Sequence, residues 1–310
     1  MPDLALDTSG QRQRETKAAR LRRFLGRQPD GSRGVTVPES SPLRAFAITA
    51  LAVAGALVCV GQCLHWSTMG AWPPHDTAAY YLAGLHVREG AVVYGAGVGG
   101  FLAFLYPPPW AIVFAALSYL PLEVVATAML GGQVLALRYL GGSWRNAALL
   151  GWLPFVPREL VTGNVNLMMA AVILAGARNA PGSGWPVALF AAAKLSPAAV
   201  LSVATRRQWR DFALATGLLA AITLPWLHLW LEWLTWITAT GSPDDRSLLP
   251  LGLRMAVAVP LVVIRRPWAA VVAAAIATPA FYFTNLVLFI PVVRLAVDAR
   301  LDAYGVRVGR

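Results

Sequence analysis

Long stretches of this chain carry no charge at all, and that property limits what the chain can fold into. Residues 46–60 hold no Asp, Glu, Lys or Arg, and residues 111–122, 167–177, 185–193 and 271–291 behave likewise. In hydrocarbon every backbone N–H and C=O needs a partner inside its own segment, so such blocks are helices or barrel strands. Barrel strands alternate apolar and polar residues over about ten positions, and these blocks do not alternate. The expected fold class is therefore all-α, a polytopic transmembrane helical bundle. Composition agrees, because 57% of the 310 residues are hydrophobic and only 13% are charged, about half the charged share of soluble domains.

The 26 Lys and Arg outnumber the 15 Asp and Glu, which in a soluble protein would raise the question of nucleic acid. Their placement answers it. Arg12, Arg14, Lys17, Arg20, Arg22, Arg23, Arg27, Arg33 and Arg44 all precede the first apolar block. That is the positive-inside signal, and it puts the amino terminus in the cytoplasm. Contact with anionic lipid headgroups is a second role for the same charges. No basic stripe interleaved with aromatics lies outside the apolar blocks, so no nucleic-acid partner is expected. Cys59 and Cys63 sit four apart in the first block. They read as small buried hydrophobes rather than as metal or redox groups. A cleaved signal peptide is not expected either, since its charged region would exceed 40 residues.

Residues 1–42, rich in Arg, Gln, Ser, Gly and Pro, read as a disordered basic cytoplasmic tail. The membrane domain is expected over 43–297, with a first helix at 43–64 and a cytoplasmic tail at 298–310. Between the first helix and Tyr106 lies the longest stretch without a spanning block, expected as an external loop over 65–106. It carries Trp72-Pro73-Pro74, then His75, Asp76 and a helical run over 77–89 in which Tyr80, Ala83, Leu85 and Val87 alternate with polar residues. That pattern suggests a helix on the membrane surface. A glycine-rich turn (Gly95, Gly97, Gly99, Gly100) leads on toward Tyr106-Pro107-Pro108-Pro109. Further helices are expected near 109–121, 122–141, 146–157, 164–178, 185–204, 211–230, 249–264, 267–280 and 281–297, making about ten membrane helices in all. With that count the arginines of 205–211, Arg265-Arg266 and those from Arg294 onward fall inside, while Asp244 and Asp245 fall outside. Several of these helices are short for a span, so the 146–178 region is also readable as two short or re-entrant pieces, and 229–240 as a surface helix.

Ionisable groups beside or within the apolar blocks invite a reason, because burying charge is costly. Asp76 reads first as a helix N-cap, given the helical run that follows it. Lys194, in Ala193-Lys194-Leu195-Ser196-Pro197, falls nine residues into the apolar helix expected at 185–204, too deep for easy snorkelling. A buried Lys calls for an anion, few intramembrane carboxylates are on offer, and a lipid phosphate would serve. Arg158 and Glu159 precede Thr162-Gly163-Asn164-Val165-Asn166, which reads as a helix end, a glycine turn and an Asn cap. Asn164 and Asn166 at membrane depth are also candidates to bind sugar hydroxyls. His228, among Trp226, Trp230, Glu232, Trp233 and Trp236, reads as part of an interfacial aromatic belt, with sugar stacking as the other reading. Walker loops, GxSxG, HExxH and cysteine clusters are lacking, so no cofactor and no metal are called for.

Taken in order, these pieces resemble glycosyltransferase family 87, the polyprenyl-phosphate-mannose-dependent mannosyltransferases of the GT-C type. The resemblance rests on His75-Asp76-Thr77, Tyr80-Tyr81-Leu82-Ala83-Gly84, Glu89-Gly90, Val93-Tyr94 and Phe104-Leu105-Tyr106-Pro107-Pro108. It continues through Gly163-Asn164-Val165-Asn166, Lys194-Leu195-Ser196-Pro197, Arg206-Arg207-Gln208-Trp209, Thr278-Pro279 and Tyr282, so it covers roughly residues 70–295. Where some relatives carry histidines near the last of these prolines, this chain has Phe281-Tyr282-Phe283-Thr284-Asn285.

The resemblance implies that an acidic residue in the first external loop is the general base, and Asp76 holds that position. It implies a polyprenyl-phosphate-linked sugar donor, a lipid or glycan acceptor, and a leaving phosphate that needs positive charge. Lys194 is the expected donor for that phosphate, with Arg158 second. His75, Tyr80, Tyr106, Asn164, Asn166 and His228 are the expected substrate-binding residues. Two other classes also fit a helical bundle with an intramembrane lysine: a transporter or lipid flippase, and a catalytically silent membrane scaffold. Transporters tend to show paired repeats, and residues 43–157 and 164–297 show no convincing self-similarity.

Overall fold

A computed structural model describes residues 42–68, 74–95, 104–239, 247–279 and 281–303. The expected amino-terminal tail, Trp72-Pro73, Gly97, Gly99 and Gly100, the Asp244-Asp245 loop and the chain after Ala303 lie outside those residues. Of the described residues, those from Phe46 to Ala303 belong to one compact body and Pro42–Ala45 to a separate unit. Among the described residues every regular element is helical, as the unbroken apolar blocks require.

The chain begins with α1 (Pro42–Trp66), α2 (His75–Glu89), α3 (Pro108–Leu117) and α4 (Leu122–Gly141). A short α5 (Trp144–Leu150) leads to α6 (Phe155–Thr162), α7 (Asn166–Ala177) and α8 (Gly184–Ala193). After a 3₁₀ turn over Ser196–Val203 come α9 (Arg206–Thr223) and α10 (Leu227–Ala239). The described chain ends with α11 (Leu251–Val263), α12 (Pro267–Ile276), a 3₁₀ segment over Phe283–Phe289 and α13 (Ile290–Ala303). Helix α7 is the axis of the bundle: Leu167, Met169, Ala170, Ile173 and Leu174 have no exposed surface. It touches α4, α6, α8, α12, α13 and two 3₁₀ segments.

Among the described residues three helices are long and apolar enough to cross a membrane: Pro42–His65, Leu122–Gly141 and the continuous Arg206–Ala239. A fourth crossing is made if α6 and α7, bent by 112° at their junction, count as one span. The remaining apolar helices, at α3, α8, α11 and α12, are 10–17 residues long, short of the roughly 17–25 that a full span takes. The outer helices turn apolar side chains outward, with Leu57, Leu64, Leu218 and Val263 more than half exposed. On a water-soluble body such a surface would aggregate; against lipid it has no cost.

Prolines explain where expected helices break. The segment 185–204 is not one helix: α8 stops at Ala193, Lys194 is extended (φ −141°, ψ 121°), and a 3₁₀ turn follows. Pro197 has no N–H to give the Ala193 carbonyl and disfavours helical geometry just before it. Pro225 sits in the 3₁₀ turn Leu224–Trp226 that bends the long outer helix without ending it. Within the 65–106 region, α2 packs one face into the bundle, burying Thr77, Ala79, Tyr80, Ala83, Gly84 and Val87. Its chief neighbour is α3, and Gly84 meets the backbone of Phe114 so closely that a Cβ there would overlap it.

Candidate active site

The bend between α6 and α7 gathers the polar side chains. Helix α6 ends at Thr162, and Gly163 closes it in the left-handed region (φ 69°, ψ 24°), with its N–H on the Glu159 carbonyl. Only glycine takes that conformation without strain. A Cβ at Gly163 would also collide with Thr77 Oγ1 and come within 2.7 Å of Pro74 Cβ, so the elbow lies directly on the start of α2. Thr77 Oγ1 donates to the Gly163 carbonyl at 3.0 Å, and Gln133 of α4 donates to the Asn164 carbonyl at 2.5 Å. The elbow is thereby tied to two other helices.

The asparagines of the elbow hold the charged groups, Asn164 one and Asn166 two. Asn164 Nδ2 donates to Asp76 Oδ2 at 2.7 Å. Asp76 is not an N-cap: Pro74 occupies that position, without a side-chain cap, because the helix starts two residues earlier than a capping Asp76 would require. At the second helical position its carboxylate still meets the positive end of α2, and it is free to face the elbow. His75 Nε2 lies 3.3 Å from its other oxygen. Burial pushes the Asp76 carboxyl above its ordinary value, against the charge of His75, the Asn164 hydrogen bond and the charge of Lys194.

Asn166, only 1% exposed, accepts a hydrogen bond from Lys194 Nζ at 2.9 Å on its Oδ1. Its Nδ2 donates to Glu159 Oε1 at 3.0 Å. The expectation that Lys194 has few intramembrane carboxylates to answer it is thus corrected: Glu159 of α6, with no exposed surface, is one amide away. Lys194 is also not nine residues inside a helix, but at the broken end of α8, where an extended backbone turns it toward α7. Its ammonium lies 5.4 Å from the centre of the Tyr106 ring, whose hydroxyl is 2.8 Å from that of the buried Tyr80. Both phenols are close enough to Asp76 and Glu159 for those charges to act on them.

Of the residues singled out from sequence, Asp76, His75, Tyr80, Tyr106, Asn164, Asn166 and Lys194 come together here. Arg158 is exposed, whereas its neighbour Glu159 is buried. His228 lines a different feature, a cleft of about 140 Å³ shared with Trp226, Glu232 and the Val87–Val92 end of α2. That end is roughly 16 Å from Asp76, at 1.5 Å per helical residue. Glu159 was given no role by sequence, although an acid between Arg158 and Leu160 beside an unanswered lysine was the signal available. Among the described residues no group of three or more His, Cys, Asp or Glu is placed to hold a metal ion.

An all-helical body with helices long and apolar enough to cross a membrane, and a carboxylate and an ammonium held on one polar elbow, is that of a helical membrane protein with a polar site. The comparison with known families is specific: the profile of glycosyltransferase family 87 matches residues 104–282. That is more than half of the chain, and the protein belongs to this family, hence to the glycosyltransferases. The matched stretch includes Tyr106, Glu159, Asn164, Asn166 and Lys194, and begins downstream of Asp76. No curated protein and no solved structure matches the chain.

Proposed function

We propose that the protein moves a hexose, mannose by the family resemblance, from a polyprenyl-phosphate donor to a hydroxyl of a lipid or glycan acceptor at the extracytoplasmic face. The observation that carries this reading is the elbow itself. Through Asn164 and Asn166 one rigid turn fixes both a carboxylate fit to take a proton and an ammonium fit to receive a phosphate.

In this reading the Asp76 carboxylate accepts the proton of the acceptor hydroxyl as its oxygen attacks the anomeric carbon. The bond from that carbon to the phosphate oxygen breaks, and the electron pair leaves with the polyprenyl phosphate. Lys194 offsets the charge that develops there. Asn164 keeps the carboxylate aimed, and the Tyr80–Tyr106 hydroxyl pair lies near both groups. Arg158 and His228, outside this cluster, are candidates for the membrane-side approach of the donor and for a remote part of the acceptor.

The placement of arginines supports the orientation. At the far end of α7 from the elbow, Arg178 and Arg294 both pair with Asp298, Arg294 also donates to the Gly141 carbonyl, and Thr205 binds Asn179. Arg206, Arg207 and Arg210 follow at the start of α9. The basic end and the elbow are separated by the 12 residues of α7, about 18 Å. With arginines inside, the elbow faces out. On the same reading the catalytic domain is 43–297 and both tails, 1–42 and 298–310, are cytoplasmic; α13 itself runs on to Ala303.

The test is transfer of radiolabelled sugar from a polyprenyl-phosphate donor by purified protein in lipid, comparing wild type with Asp76→Asn. Undiminished transfer by the variant removes Asp76 as base, and no transfer from any such donor removes the reading. Labelling of single cysteines introduced at His75 and Arg207 in intact cells checks orientation, and equal labelling of both would contradict it.

A further inference from the structure

Lys194 reaches its compensating charge through a neutral amide rather than through an ion pair. Among the described residues no acid lies within ion-pairing distance of Lys194. Instead the order is carboxylate, amide, ammonium: Glu159 Oε1 accepts from Asn166 Nδ2, and Asn166 Oδ1 accepts from Lys194 Nζ. The polarity of this relay is fixed by chemistry. An ionised carboxylate only accepts, so the amide must turn its NH₂ toward Glu159, which leaves its oxygen for the ammonium, a group that only donates.

We infer that Glu159 is a positioning residue for the donor-phosphate site, one that compensates the Lys194 charge through Asn166 while leaving the ammonium unpaired for the phosphate. The inference rests on the proposed function, since it names what keeps that site's cation available.

Three features of the geometry support it. An ammonium has three N–H donors. One goes to Asn166, the Tyr106 ring face covers a second direction, and the remainder is left for an incoming oxygen. A carboxylate placed directly on the ammonium would compete with that oxygen; displaced by one amide, it still acts on the charge across a medium that screens poorly. Glu159 itself is fully enclosed, between Val156 and Leu160 on the inner face of α6. It has no path to an acceptor hydroxyl, so the base role does not compete for it. Without Glu159 the lysine would keep only the charge of Asp76 to answer it, having lost the larger of the two carboxylate charges that act on it, and folded proteins avoid a poorly compensated buried charge.

The experiment measures competition by farnesyl phosphate, a short polyprenyl phosphate, in the transfer assay and in thermal-shift titrations of the full chain. Glu159→Gln keeps the shape and the hydrogen bond from Asn166 but removes the charge. It should weaken farnesyl phosphate binding and raise the donor KM on the order of tenfold, with kcat changed much less. Asn166→Ala, which cuts the relay while leaving Glu159 in place, should do the same. Combined with Lys194→Ala, neither variant should add to the loss already seen, because both act through the lysine. A silent Glu159→Gln, or losses that add to that of Lys194→Ala, would overturn the inference. If Lys194→Ala itself leaves farnesyl phosphate binding intact, the assignment of the phosphate site fails, and this inference with it. If Lys194→Ala weakens binding and Glu159→Gln does not, only the inference fails.

Discussion

Replacing Gly163 by alanine should damage the active site from a position that touches no substrate. The left-handed φ of 69° costs an alanine about 1–2 kcal/mol. The added methyl also meets Thr77 Oγ1 and, at 2.7 Å, Pro74 Cβ. Both belong to the start of α2, so the contact cannot be relieved by rotating one flexible side chain. Either the elbow or the first turn of α2 must move, and each carries half of the site. Asn164 would shift relative to Asp76, and Asn166 relative to Lys194. A displacement of about 1 Å in such a constellation costs on the order of a hundredfold in rate. The assay pairs sugar transfer with the thermal midpoint of purified protein, for Gly163→Ala, Thr77→Ala and the double variant. We expect Gly163→Ala to lower the midpoint by several degrees and transfer by about two orders of magnitude. The added cost of Gly163→Ala should be smaller in the Thr77→Ala background, where one of the clashing groups is gone. A Gly163→Ala protein with wild-type transfer and midpoint would refute the claim that this turn organises the site.

Asp76→Asn should cut transfer by about 10²- to 10⁴-fold, the range for loss of a general base. Because burial raises the Asp76 carboxyl, the acid limb of the wild-type pH–rate profile should lie above the ordinary carboxylate range; a limb at or below it would contradict the burial argument. The same shift has a stability consequence. A carboxyl raised on folding favours the folded state while protonated, and that contribution is lost as pH rises through the raised value. Asp76→Asn should therefore gain in thermal midpoint relative to wild type as pH rises from the ordinary carboxylate range through the raised value, and a steady or shrinking difference would count against it. Lys194→Ala should raise the donor KM by at least about tenfold, and an unchanged KM with normal inhibition by farnesyl phosphate would remove its role. Gly84→Ala should lower the thermal midpoint and the yield of folded protein without a specific effect on KM, because the methyl would overlap the Phe114 backbone; a stable variant would show that α2 and α3 can separate.

Much of the architecture was readable in the chain because hydrocarbon leaves a backbone so few options. Charge-free runs had to be helices, and 122–141 coincides with α4, while 249–264 and 267–280 fall within a few residues of α11 and α12. Breaks were less legible, since a proline shows where a helix cannot continue but not whether a 3₁₀ turn carries the chain onward, as it does after Lys194 and at Pro225. The membrane count shows the same limit: the sequence suggests about ten membrane helices, and among the described residues three or four are long and apolar enough to span. Short apolar helices packed inside a bundle and short apolar helices in lipid have the same composition, so only packing tells them apart.

The chemistry divides along a similar line. Sequence alone picked out Asp76, Lys194, Asn164 and Asn166 as polar groups in costly places, because a buried polar group always demands a partner. It could not say which partners meet. Asp76 and Asn164 are 88 positions apart in the chain, and Lys194 and Asn166 are 28 apart. Those pairings exist because a glycine in the left-handed region turns α7 by 112° from α6 onto the first turn of α2. Glu159 shows the gap most clearly. Its neighbour Arg158 was the residue of that pair assigned to the phosphate, second to Lys194. The helical face then sent Arg158 outward and Glu159 inward, a rotation of roughly 100° per residue that the sequence left undecided and that packing of α6 against the bundle resolved.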